Sequence, residues 1–165
     1  MKEIFFLSGL PRAGNTLFGS LMNQNPNVAV TANSITADMM GELFTLKKTD
    51  IFKNFPDHKS FDNVAAKVFE HYYQDWKADY IIDRSPWGMP PNIHFIKKYR
   101  KNVKIIVLVR DIIEILASFI RFSQRNPGSY IDRDRNRSVE EKCDMLMNKD
   151  GVIIKELIGV KHLLR

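Results

Sequence analysis

The sequence predicts an α/β fold, a central parallel sheet flanked by helices. Three observations carry this: short apolar runs recur along the 165 residues, stretches of helical period separate them, and no internal repeat or linker-like segment interrupts the alternation. Ile4-Phe5-Phe6-Leu7 reads as a first buried strand, ended by Ser8-Gly9-Leu10-Pro11-Arg12-Ala13-Gly14. A helix follows over about residues 15–24, with Leu17, Leu21 and Phe18 as the residues facing the sheet and Asn25-Pro26 as its stop. Residues 28–30 form a short second strand. Ser34 is the expected N-cap of a helix carrying Met39, Met40, Leu43 and Phe44, and Ser60 of another carrying Val64, Val68, Phe69 and Tyr72.

Tyr80-Ile81-Ile82 reads as a third strand, running into Asp83-Arg84-Ser85-Pro86-Trp87-Gly88. The clearest strand is Lys104-Ile105-Ile106-Val107-Leu108-Val109, a β-branched run of the kind buried on both faces of a parallel sheet. It ends in Arg110-Asp111, and a helix continues to about Arg125 with Ile112, Ile115, Leu116 and Phe119 on one face and Glu114, Ser118, Arg121 and Arg125 on another. Residues 126–137 read as a polar, arginine-rich loop, and two helical patterns separated near Asp150-Gly151 close the chain. Leu163-Leu164-Arg165 carries apolar residues to the end with no stop signal, which suggests a single domain lacking a C-terminal part.

Composition narrows the functional classes. With 44% hydrophobic and 27% charged residues the chain is neither disordered nor of low complexity. Cys143 is the only cysteine, so no internal disulfide is possible, and no apolar run approaches the ~20 residues of a membrane span. A cytoplasmic location is the default expectation. The net charge of +6 is concentrated: residues 97–137 hold eleven basic and four acidic side chains, against nine and ten in 1–96 and five and five in 138–165. An anionic partner is the expectation.

Three clusters carry chemistry. In Gly9-Leu10-Pro11-Arg12-Ala13-Gly14-Asn15-Thr16, between strand and helix, glycines let backbone N–H groups face an anion, and the helix start adds its partial positive charge. The spacing is that of G-x-x-x-x-G-K-[ST], with Asn15 where the lysine belongs and Arg12 as an alternative cation. Arg110 lies at the carboxyl end of a strand, with Ser118 two turns into the next helix, so both can reach one phosphate. Asp83-Arg84-Ser85 ends the third strand at the same edge.

Residues 7–26, LSGLPRAGNTLFGSLMNQNP, resemble the 5′-phosphosulfate-binding loop and following helix of sulfotransferases that use 3′-phosphoadenosine-5′-phosphosulfate (PAPS), above all the bacterial and tyrosylprotein branch with its P-R-S-G-T-T-L loop. Residues 104–119, KIIVLVRDIIEILASF, resemble the same family's 3′-phosphate-binding strand and helix. The resemblance covers about residues 3–125 well. It implies a P-loop nucleoside-kinase-like three-layer fold and transfer of a sulfonate from PAPS, with 3′-phosphoadenosine-5′-phosphate (PAP) as product and no metal, to a hydroxyl or amine of a small-molecule, glycan or protein acceptor. It also implies site residues. Arg12 would bind the phosphosulfate; Ala13, Gly14, Asn15, Thr16 and Leu17 would hold the 5′-phosphate; Arg110 and Ser118 would hold the 3′-phosphate; and Arg84 falls where the family often has a catalytic lysine.

The branch's catalytic glutamate falls on Thr31-Ala32-Asn33-Ser34, where no base stands. Asp83 is therefore the preferred candidate, ahead of Asp38, and His94 reads as structural. Other classes stay open at this point: a P-loop nucleoside or nucleotide kinase, a truncated inactive PAP-binding relative, or a nucleic-acid module using the basic segment, for which no recognition pattern is present and no nucleic-acid partner is expected.

Overall fold

The computed structural model describes residues 2–126, 128–129 and 137–163. Its centre is a four-stranded, all-parallel sheet in the order β2-β3-β1-β4, formed by β1 (Glu3–Gly9), β2 (Val28–Val30), β3 (Tyr80–Arg84) and β4 (Lys104–Leu108). The helices are α1 (Asn15–Met22), α2 (Thr36–Leu46), α3 (Asp50–Asn54), α4 (His58–Tyr72), α5 (Pro90–Tyr99), α6 (Ile112–Arg125), α7 (Val139–Met147) and α8 (Val152–Leu163). No helix among the described residues is long and apolar enough to cross a membrane. Arg133 and Arg135 of the predicted basic loop, and the terminal Leu164 and Arg165, lie outside the described residues.

Strand alternation builds the three layers. Ile4, Phe6 and Ile81 point to one face, against Met40 of α2, Phe69 of α4 and Phe95 and Ile96 of α5. Leu7 and Ile82 point to the other, with Val30, against Phe18 and Met22 of α1. A third cluster, Leu10, Ile115, Phe119, Leu146 and Ile153, joins α6, α7 and α8 to the loop after β1.

The structure corrects several expectations. α1 turns Phe18 to the sheet as expected, but with Gly19 and Met22; Leu17 and Leu21 are 67% and 55% exposed. Gly19 carries no apolar signal in sequence, yet it is what brings α1 close to β2, since a Cβ there would sit 3.3 Å from Val30 Cγ1. β4 is only half-buried and Val109, 87% exposed, falls outside it, because among the described residues β4 is an edge strand paired with β1 alone. Ser34 does not cap α2, whose N-cap is Ile35; it is buried instead, hydrogen-bonding Thr36 and Tyr73. Ser60 gives way to Asp57, whose carboxylate accepts from the Ser60 backbone N–H at 2.9 Å.

Candidate functional site

In a parallel sheet, ligands sit beyond the carboxyl ends of the strands. Here the segments leaving β1, β3 and β4 converge there. After Gly9 the chain turns, with Ala13 N–H donating to Leu10 O at 3.0 Å, and enters α1 through two left-handed residues, Arg12 (φ 71°) and Gly14 (φ 103°). For Gly14 this conformation carries no steric cost, whereas for Arg12 it costs about 1–2 kcal/mol. Contacts on three sides hold Arg12 in place. Its Nε donates to Ser118 Oγ at 3.1 Å, its guanidinium lies 5.2 Å from the Phe122 ring centroid, and its carbonyl accepts from Arg110 Nη1 at 3.0 Å. α1 begins with no side-chain cap and no acidic residue in its first turn. Its first N–H groups therefore face outward unneutralised, as an anion requires.

Arg110 is braced from two directions, by that bond to the loop and by its Nε donating to Glu114 Oε2 at 2.8 Å. Asp111 caps α6, accepting from Ile113 N–H at 2.8 Å, which fixes the phase that aims Ser118 at the loop. Pro11, Arg12, Gly14, Asn15, Thr16, Leu17, Arg84, Arg110 and Ser118 line one cleft of about 420 Å³. Of the binding residues that the resemblance implies, Ala13 alone is missing from the described lining, and neither candidate base, Asp83 or Asp38, is part of it. The Arg84 guanidinium has no hydrogen-bond or ion-pair partner among the described residues, and partial burial lowers its pKa.

Asp83 is 0% exposed and lines no part of that cleft. Its Oδ2 accepts from Thr36 Oγ1 at 2.5 Å and Tyr73 OH at 2.8 Å, and its Oδ1 from Trp87 Nε1 at 3.0 Å. Burial pushes its carboxyl above the usual range, and these bonds oppose the rise. The strand-end position that suggested a base puts the side chain in the core instead, among Phe6, Phe69 and Trp87, whose rings meet at 4.9–5.6 Å. Asp38 and His94 are exposed on α2 and α5 and line neither this cleft nor the chamber beside it.

That chamber, about 230 Å³ and half-open to solvent, shares Pro11, Asn15 and Arg84 with the cleft and is lined further by Met89, Val152 and Glu156. Glu156, on α8, is 2% exposed; its Oε1 accepts from Ser8 Oγ at 2.7 Å and Gly88 N–H at 3.1 Å, and burial raises its pKa. Sequence reading missed it. The available signal was spacing: residues 153, 156 and 159 share one helical face, and an acid between Ile153 and Gly159 on a buried face needs partners. Gly159 sets the fit of α8, since a Cβ there would overlap the Gly88 carbonyl oxygen. Gly159→Ala is therefore expected to cost about 1–3 kcal/mol, by overpacking, in urea denaturation.

A family model described as a sulfotransferase family matches residues 5–150. The chain belongs to the sulfotransferase family. The matched stretch runs from β1 to just beyond α7, so it contains every described cleft residue and ends before Glu156. No curated protein matches the chain.

Proposed function

We propose that this sulfotransferase takes its sulfonate from PAPS and delivers it to an acceptor hydroxyl or amine. The observation that carries the reading is the convergence of three guanidinium groups, Arg12, Arg84 and Arg110, with Ser118 and the uncapped start of α1 on one cleft. Two anionic ends need two cationic anchors. Arg110 and Ser118 suit a 3′-phosphate, while the first turn of α1 with Arg12 suits the 5′-phosphosulfate. Asn15 favours this reading over phosphoryl transfer. Its Nδ2 donates back to Gly9 O and Leu10 O, both at 3.3 Å, so the side chain closes the loop rather than extending a cation to a nucleotide's terminal phosphates.

In this scheme the chain's own groups do the electrostatic work. Arg12 and Arg84 neutralise charge that grows on the leaving phosphate oxygen, and Arg12, held beforehand by Ser118 and the Phe122 ring, needs little reorganisation as it develops. Asp83 acts as a positioning residue, holding β3 and Trp87 so that Arg84 faces the cleft. Arg84→Ala is expected to leave PAP affinity within about threefold and to lower PAP release from PAPS by about 10²–10³; chromatographic product analysis checks it. The reading itself is tested by thermal shift. PAP is expected to raise the melting temperature and 5′-AMP to raise it far less, because only PAP occupies both anchors. Equal shifts from the two would refute the 3′-phosphate assignment.

A further inference from the structure

We propose that the 230 Å³ chamber beside the cleft receives the acceptor hydroxyl and that Glu156 takes its proton during transfer. The proposal rests on the PAPS reading above and supplies what that reading lacks, a base. Position is the first argument. The chamber and the cleft meet at Pro11, Asn15 and Arg84, so a group held in one lies next to a group held in the other, across the cation assigned to the leaving oxygen.

Chemistry is the second argument. Arg84 and Glu156 are the only ionisable side chains among the described residues lining the chamber. Ser8 Oγ and Gly88 N–H anchor Oε1 of Glu156, and the Gly9 backbone also favours its charged form; a carboxylate has about four acceptor positions, so capacity remains for a ligand. An acceptor carboxylate on this small space suits a hydrogen-bond donor such as a hydroxyl. The volume is below the ~300–1,000 Å³ of pockets that enclose whole small molecules, so the chamber admits the reacting end of the acceptor.

The step balances. The acceptor oxygen forms a bond to sulfur, and the bond from sulfur to the 5′-phosphate oxygen breaks with its electron pair leaving on that oxygen. The acceptor's proton passes to Glu156, so the products are the sulfate ester, PAP and a neutral glutamic acid. Burial brings this carboxyl toward the neutral range, where a general base is most effective.

The test uses the full chain with PAPS and water as the acceptor probe. Glu156→Gln retains an oxygen for Ser8 and Gly88, so it is expected to bind PAP within about threefold of wild type with an unchanged melting temperature, while PAP release falls by about 10²–10⁴. Equal release from wild type and variant, including none from either, overturns the proposal. If the variant does not fold, Glu156→Asp withdraws the carboxylate by one methylene. It is expected to slow release by about 10² with PAP affinity kept, and an unchanged rate again overturns the proposal. Failure of the wild type to bind PAP would instead sink the donor reading, a distinguishable outcome.

Discussion

Arg110→Ala is expected to weaken PAP binding by at least about 10²-fold, the largest single loss of affinity in the cleft. The side chain is held ready by Arg12 O at 3.0 Å and Glu114 at 2.8 Å, so little rotamer entropy remains to be lost when a phosphate arrives. Charge-assisted hydrogen bonds are worth about 1.5–3 kcal/mol each, and a guanidinium fork offers two. Arg110→Lys keeps the charge without the fork and is expected to fall between the two proteins. Titration calorimetry with PAP checks the series; equal affinity in wild type and Arg110→Ala would contradict the assignment of the 3′ anchor.

Asp83→Ala is expected to destabilise the protein by at least about 4 kcal/mol in urea denaturation, a large part of the margin of a domain this size. The substitution leaves Thr36 Oγ1, Tyr73 OH and Trp87 Nε1 without their acceptor in the core. Asp83→Asn is expected to cost only about 1–2 kcal/mol, because its oxygen can serve Trp87 while the two hydroxyls turn to accept from its amide. The pH dependence separates the roles further. The carboxyl's folded pKa is raised above the unfolded 3.8, so the native state binds more protons than the unfolded chain between those two values. Its contribution is greatest below 3.8 and is lost as pH rises through the folded pKa. Glu156 acts in the same direction from 4.5. Asp83→Asn is expected to flatten that slope.

Much of the frame was legible because apolar runs and helical period are local properties. The four strands and the helix after Arg110 are where those signals placed them. What escaped depends on tertiary contacts. The phase of α1 is set by Gly19 packing on Val30, which a count of leucines overlooks. The half-exposure of β4 follows from its place in the sheet order, which composition does not encode. The cleft residues were readable because loop, strand end and helix each carry their own spacing, and the fold brings Arg110 and Ser118 each within bonding distance of Arg12. Asp83 and Glu156 were not separable in the same way. Both are acids beside apolar residues, and only the three-dimensional arrangement shows that one sits in the core and the other lines a chamber.

The most direct measurement of the central claim is isothermal titration of the chain with PAP and, separately, with Mg·ATP. The account predicts saturable binding of PAP at one site per chain and weak or no binding of Mg·ATP. Tight binding of Mg·ATP with none of PAP would contradict it.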